Sequence, residues 1–516
     1  MLSRLFYDMS TACIVRIETI EIQNIKCVGR GEVCFRNPQR PNGPRIVGLY
    51  GANGSGKSTL IDALDILKHC MSGQSVDKHV AQYIDVEAET ATIACEFSIR
   101  VGESAPTHAI YSFTLSRDSS ANNNGGQSES GDISQEVRIS DEKLSLSTKS
   151  MQELERMSVV IDTAAGTVFG PVFNYERLIG KTTANHSEES PTAAESLCTK
   201  LTTAKRLAYE KSRSFIFSRD LYESILAHRH DLVLSATTDQ ADIDELTSVV
   251  ATSINALSHF AKDHMLILDS SYAGSAIAGT LALPMADHDL SITRHSLEGL
   301  GDAFEKLGIA VSFDLPIDGP AWVSCFAVNS ARDMLKTMNP VISQIISGLT
   351  ISIEQVETSE ANQPKHCKYI RLMSHRNGKT IPFSCESSGV KRLFSLVNLL
   401  VLMYNDPRTL VAIDDFDAGI FEHLLGELLS SLASNGLGQL VFTSSHLQPL
   451  EAIDKGYIRF TTNNPANRYV QVESADSSDT LWDSFYGNAV SGERRERLFE
   501  QISAETIGHA FEQAAQ

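Results

Sequence analysis

Arg45-Ile46-Val47-Gly48-Leu49-Tyr50-Gly51-Ala52-Asn53-Gly54-Ser55-Gly56-Lys57-Ser58-Thr59-Leu60 is the stretch that decides the fold. Its first third is a short apolar run ending in an aromatic residue and reads as a buried strand. Its last third opens the segment Lys57 to Cys70, where Leu60, Ile61, Leu64, Ile66 and Leu67 recur without Pro or Gly, so it reads as a helix. Between them Gly51, Gly54 and Gly56 let backbone N–H groups turn inward around an anion, and the helix adds the positive end of its dipole. In such a unit Lys57 reaches the β- and γ-phosphates of a nucleotide and Ser58 ligates Mg2+. The order strand, loop, helix therefore predicts an α/β chain that binds ATP.

Upstream, Ile14 to Ile22 clusters β-branched residues and predicts a strand. Downstream, Glu89 to Ser147 holds alternating pieces such as Ala91 to Ile99 and Ala109 to Leu115, which predict an antiparallel sheet with a further strand near Glu136 to Leu146. A Ser-, Asn- and Gly-rich stretch, Ser116 to Gly131, reads as a mobile loop between them. From about Ala193 to Ser347 the pattern is helical, with Leu246, Val249, Val250, Ile254, Leu257 and Phe260 on one face, as core packing requires. No heptad pattern persists, so no long coiled-coil arm is expected. Strands follow at Leu349 to Val356 and Tyr369 to Met373. A helix from Lys391 to Tyr404, the strand Leu410 to Ile413, the helix Ile420 to Ser434 and the strand Gln439 to Thr443 complete an α/β unit.

A phosphate loop needs a carboxylate for Mg2+ at the end of a neighbouring buried strand. Leu410-Val411-Ala412-Ile413-Asp414-Asp415 supplies two. Asp414 is the metal-side candidate, and Asp415 is placed to polarise an attacking water. An acidic pair at a strand end also occurs as a plain cap. Ser384-Cys385-Glu386-Ser387-Ser388-Gly389-Val390-Lys391-Arg392 places small residues before a helix, a pattern that an ordinary serine N-cap shares. His446 follows the last strand, where it can sense a γ-phosphate or simply be structural.

The order of these segments resembles an ABC-type ATPase of the group that includes structural-maintenance-of-chromosomes, recombination and OLD-family proteins. Ile20 to Lys26 resembles the group's opening strand, Gly51 to Ser58 its Walker A loop, and Glu386 to Arg392 its signature motif. Leu410 to Asp415 resembles Walker B, Asp417-Ala418-Gly419 the D-loop, and His446 the switch histidine. The resemblance implies nucleotide contacts from Asn24, Lys26, Asn53, Ser55, Thr59, Ser387, Ser388 and Gly389 besides the loop glycines, and a catalytic set of Lys57, Asp415 and His446. It implies metal contacts from Ser58, Asp414 and a glutamine after the first helix, for which Gln82 is the candidate. Asp415 stands where the group usually has Glu, which is one methylene longer, so slow hydrolysis is expected. The signature form is closest to a subgroup of bacterial anti-phage defence systems, whose ATPase accompanies or carries a nuclease.

The resemblance thus implies an ABC-type ATPase head, a mixed sheet with the phosphate loop plus an antiparallel β subdomain, carrying a helical insert. The expected division is 13–190, an N-terminal ATPase lobe; 191–347, the helical insert; 348–470, a C-terminal ATPase lobe; and 471–516, a helical tail. ATP and Mg2+ are the implied cofactors, and a homodimer or higher homo-oligomer the implied assembly. A separate effector protein, a nuclease, and a phage-derived trigger are the implied partners. About 70 residues follow His446, short of an ordinary nuclease domain, which places effector activity in another chain. The competing reading is a DNA-repair or chromosome-associated ATPase acting directly on DNA.

Composition bounds both readings. With 44 Lys and Arg against 64 Asp and Glu, the formal charge is −20, so the surface as a whole repels a polyanion and direct DNA binding requires a local basic groove. The nine cysteines are scattered without zinc spacing, which fits a reducing cytoplasm. No apolar run approaches the roughly 18 residues of a membrane span, and the first 15 residues read as an extension rather than a signal.

Overall fold

The structure, a computed structural model, describes residues 13–36, 44–118, 136–148, 156–180, 193–234, 241–268, 280–284, 312–317, 319–357, 367–471 and 503–514. The chain opens with β1 (Cys13–Ile25) and β2 (Val28–Cys34), then β3 (Arg45–Tyr50) and the helix α1 (Lys57–Ser72). Four strands follow: β4 (Thr90–Val101), β5 (Thr107–Asp118), β6 (Glu136–Thr148) and β7 (Arg156–Asp162). With β1 and β2 they make a six-stranded antiparallel sheet in the order β2-β1-β4-β5-β6-β7. Alternation explains it: along β4, Ala91, Ile93, Cys95, Phe97 and Ile99 are buried while their neighbours are not. The Ser- and Asn-rich stretch expected as a loop falls, from residue 119 to 131, outside the described residues.

A bulge between Ile17 and Thr19 interrupts the β1–β4 register. It turns Glu18 inward beside Ile17, and Glu18 meets Arg36, Arg45 and Ser98. Burial pushes the Glu18 carboxyl up, but hydrogen bonds from Ser98, Arg36 and Arg45 outweigh it and leave the group below its ordinary range.

The helices α2 (Val172–Ile179), α3 (Ala193–Glu210), α4 (Arg219–Leu234) and α5 (Ala241–His259) come next. As the spacing predicts, Val250, Ile254, Leu257 and Phe260 are buried, and Leu246 and Val249 pack against the same core. The buried Glu142 of β6 ties this region to the antiparallel sheet, accepting hydrogen bonds from Tyr111 of β5 at 2.7 Å and from the Phe215 N–H at 2.7 Å.

The segment expected to be predominantly helical also holds strands. After a single π-turn, Phe260–His264, the chain enters β8 (Met265–Leu268), which pairs in parallel with the strand that carries Asp414. A four-residue apolar run has no period of its own, so it merges with the helical pattern before it. Residues 191–347 are thus not a self-contained insert, because one of their strands completes the nucleotide-side sheet.

Strands β9 (Thr280–Pro284), β10 (Ser312–Pro316) and β11 (Ala321–Ser324) lead to helix α6 (Cys325–Ile345). The sheet of β11, β12 (Thr350–Gln355), β13 (Cys367–Arg376) and β14 (Lys379–Pro382) packs with α6 and α7 (Ser388–Asn405) in its own apolar core, which includes Leu349, Phe383 and Phe394. The remaining elements are β15 (Leu410–Ile413), α8 (Glu422–Asn435), β16 (Gln439–Ser444), β17 (Ile458–Thr461), β18 (Tyr469–Val470) and α9 (Ala504–Ala514).

The second six-stranded sheet runs β18-β17-β3-β16-β15-β8, parallel except for β18. Its central strands β15 and β16 are buried at every residue, as parallel strands covered on both faces must be. Helix α1 shares one apolar core with both six-stranded sheets. Leu60, Leu64 and Leu67 are inaccessible to solvent, so truncating any one to alanine costs about 2–5 kcal/mol. The opposite face is covered by α7 and α8. Of the expected C-terminal tail, α9 is helical with no buried residue, and 472–502 lie outside the described residues. No helix among the described residues is long and apolar enough to cross a membrane.

Candidate phosphate-binding and catalytic site

Parallel strands point the same way, so their C-terminal ends form one rim, and loops leaving that rim meet. Here β3 releases the glycine-rich loop, β15 releases Asp414 and Asp415, and β16 lies between them. Distant segments of the sequence thereby converge.

The loop is held open by its surroundings. Gly54 and Gly56 have φ of 75° and 95°, in the left-handed region that glycine tolerates. At Gly51 a Cβ would lie 1.7 Å from the Thr461 hydroxyl oxygen, so no other residue fits. Ser55 donates to the Ala52 carbonyl at 2.6 Å and lies 2.5 Å from Thr461 Oγ1. The Tyr469 hydroxyl donates to the Gly56 carbonyl at 2.8 Å. Asn53 stands exposed on the crest, whereas Thr59 is almost fully buried in the protein.

Helix α1 begins with no side-chain cap and no acidic residue in its first turn. That leaves its first N–H groups and its dipole to an anion. Lys57 folds back over the loop, donating to the carbonyls of Gly51 at 2.8 Å and Ala52 at 3.1 Å. Burial lowers its pKa, opposed by the charges of Asp415, Asp414 and Asp417. A buried ammonium whose hydrogen bonds go to the Gly51 and Ala52 carbonyls suits a polyphosphate, since a phosphate oxygen can add a directly bonded counter-charge.

Ser58 donates to Asp414 Oδ1 at 3.1 Å, joining the loop to the acidic strand end. Two hard oxygen donors at that separation fit a Mg2+ ion, which takes few protein ligands and fills its shell with water and phosphate oxygens. No cluster of three or more His, Cys, Asp or Glu side chains among the described residues is placed to hold a metal ion by itself. Asp415 adopts a φ of 48°, a conformation costly for a residue with a Cβ. Burial raises its pKa, helped by Asp414 and Asp417 and opposed by Lys57 and Arg392. A half-buried carboxylate of raised pKa beside a phosphate loop is chemically suited to orient water.

The remaining expected residues fall into two groups. Ser387 caps α7, accepting from the Val390 N–H at 3.4 Å, and both Ser387 and Ser388 are exposed. Gly389 abuts the D-loop segment, where a Cβ would lie 2.5 Å from the Gly419 carbonyl. Asn24 donates to the Thr90 carbonyl at 3.1 Å. Lys26 pairs with Asp62 at 2.6 Å and lies 3.8 Å from the centre of the Tyr83 ring. Gln82 is an exposed residue of the one-turn helix Lys78–Tyr83. Its segment is pinned by Arg117 of β5, which donates to the carbonyls of Ala81, Asp85 and Ala88 at 3.2, 3.0 and 3.0 Å.

Three residues have contacts that the sequence did not disclose. Asp417 accepts from the N–H groups of Ser445 and His446 at 2.7 and 2.9 Å and from the Ser444 hydroxyl at 3.0 Å, so it anchors the loop that carries His446. The His446 ring itself is largely exposed, with Nδ1 2.8 Å from Asp417. Arg392, the last residue of the signature-like segment, is buried and donates to the carbonyls of Asp414 and Asp415 at 2.9 and 3.2 Å. Thr443, inside an apolar strand, meets both aspartates.

Residues 19–208 match a family model described as "AAA domain", less than half of the chain. No curated protein matches the sequence. Among solved structures, an Smc head bound to the C-winged helix domain of ScpA is 12% identical, with 88% of this chain and 96% of that one covered at a TM-score of 0.41. The SMC head domain from Thermotoga maritima is 13% identical, with 89% and 100% covered at 0.34. The recombination mediator RecF with ATP is 13% identical, with 84% and 94% covered at 0.32. The glycine-rich loop leaves a largely parallel sheet that shares an apolar core with the antiparallel sheet, the mixed α/β arrangement expected for this chain.

Proposed function

We propose that the protein binds ATP with Mg2+ and hydrolyses it slowly, pairing with a second copy around the nucleotide. One observation carries the reading: Lys57, Ser58, Asp414 and Asp415 gather at the rim of one parallel sheet, with Ser58 3.1 Å from Asp414. Bound Mg2+ would neutralise phosphate charge and orient the β- and γ-phosphoryl groups. The chain's own residues do the rest. The loop and the start of α1 bind the phosphates, Lys57 supplies charge, and Asp415 accepts a hydrogen bond from the attacking water. The exposed Ser387 and Ser388, at the start of a helix, support closure by a second copy whose phosphates they would cap.

The test is nucleotide titration with size measurement. Wild type should bind ATP and gain mass on adding it, while Lys57→Ala should lose both by 10-fold or more, an order of magnitude expected for a phosphate contact worth about 1.4 kcal/mol or more. Equal association by the two proteins, with and without ATP, would sink the paired reading.

The finer function follows from the signature segment. The paired head would control a separate nuclease effector in bacterial anti-phage defence, in the cytoplasm and in response to a phage-derived trigger. The formal charge of −20 supports an effector that is a protein over direct grip on DNA. The alternative is a head that acts on DNA itself in repair or chromosome maintenance, and duplex DNA distinguishes them. Turnover unchanged by DNA at low salt favours the regulatory reading, and a several-fold stimulation favours the other.

A further inference from the structure

We propose that Thr443 is a positioning residue that sets the two acidic side chains of the site, a role that rests on the ATPase reading above. Its hydroxyl stands between consecutive aspartates. It accepts from the Asp415 N–H at 2.8 Å and donates to Asp414 Oδ1 at 2.6 Å. Because one partner is an N–H, which only donates, the single hydroxyl proton is committed to the carboxylate. The chain of donation is fixed from Asp415 N–H to Thr443 to Asp414.

Three consequences follow from that polarity. Asp414 Oδ1 receives both the Thr443 and the Ser58 hydroxyls, so the rotation of its carboxylate is fixed. The Asp415 N–H is satisfied in the left-handed conformation that this residue adopts. The backbone repeats the attachment, since the Phe416 N–H donates to the Thr443 carbonyl at 2.9 Å. Thr443 is inaccessible to solvent, so water does not replace the hydroxyl. The strand between the phosphate loop and the acidic pair therefore acts as a jig for both.

The experiment compares Thr443→Val, which keeps the shape, with Thr443→Ser, which keeps the hydroxyl, by titrating a fluorescent ATP analogue with and without Mg2+ and then measuring turnover. Without Mg2+ all three proteins should bind the analogue within about 2-fold, because the Thr443 hydroxyl bonds the two aspartates and not the glycine-rich loop. With Mg2+, Thr443→Val should lose about 10- to 100-fold of the cation-dependent gain in affinity and of kcat, the range for removing a partner that orients a metal ligand. Thr443→Ser should recover most of both. Should the valine variant be too unstable to titrate, Thr443→Cys, a weak donor of similar size, is read in the same way. A valine variant with wild-type Mg2+ dependence, or a serine variant as impaired as valine, overturns the proposal. Failure of wild type to bind the analogue at all would instead overturn the ATPase reading beneath it.

Discussion

At the residue scale, Asp415 concentrates the conflict between stability and chemistry. Its carboxyl is half-buried near two others, and its pKa lies above the ordinary 3.8. A raised carboxyl pKa means that the folded protein holds this proton more tightly than the unfolded chain does. The contribution is favourable below about pH 3.8 and is lost as pH rises through the higher folded value. Near neutrality the ionised group burdens the fold. Asp415→Asn should therefore raise the melting temperature at about pH 7 while abolishing turnover, and the gain should shrink as pH falls towards about 4. Equal melting curves at both pH values would show that the charge is not strained. The place of Asp415 at the end of a buried strand was legible in the sequence because the apolar run Leu410 to Ile413 stops at the acidic pair. Thr443 was not, because a threonine in a strand is unremarkable until the neighbouring strands are known. Arg392 reads in the sequence only as the end of the signature-like segment, whereas its burial makes it a cap for the strand that carries the aspartates.

At the element scale, the bulge in β1 and the start of β16 solve one problem together. The bulge leaves the N–H and carbonyl of Ile17 facing the interior. The Gln439 side chain meets both, with Oε1 accepting from the N–H at 2.9 Å and Nε2 donating to the carbonyl at 2.9 Å. A glutamine side chain there stands in for a peptide group and bonds the antiparallel sheet to the parallel one. Gln439→Leu fills the same space but leaves the buried Ile17 N–H without its side-chain partner, at about 1–3 kcal/mol, while the carbonyl keeps the longer hydrogen bond from Arg45 at 3.4 Å. A loss of about 1–3 kcal/mol in chemical unfolding is expected, and unchanged stability would mean that the Gln439 side chain does not help to hold the two sheets together. Helix and strand periods disclosed most elements on either side of this joint, including α1, α5, α7 and the antiparallel strands. They failed at β8, where four apolar residues carry no periodicity and only parallel pairing with β15 shows the segment to be a strand.

At the scale of the whole molecule, the phosphate loop depends on residues far from it in sequence. Thr461 and Tyr469 lie on β17 and β18, and the strand order places β17 against β3. No local pattern announces that pairing, so the loop was legible from its own residues while the wall behind it was not. The expected result is that a chain ended after residue 457 loses ATP binding even with residues 51–58 intact, measurable by equilibrium titration of purified protein. Binding at wild-type affinity would show that the wall is dispensable. The separation of 406 residues between Ser55 and Thr461 also sets a time. A ribosome adding about 5–20 residues per second needs about 20–80 s to go from one to the other. During that interval the nascent chain displays a complete nucleotide motif that lacks its rear wall. Vectorial synthesis thus completes the glycine-rich loop long before the strand that backs it.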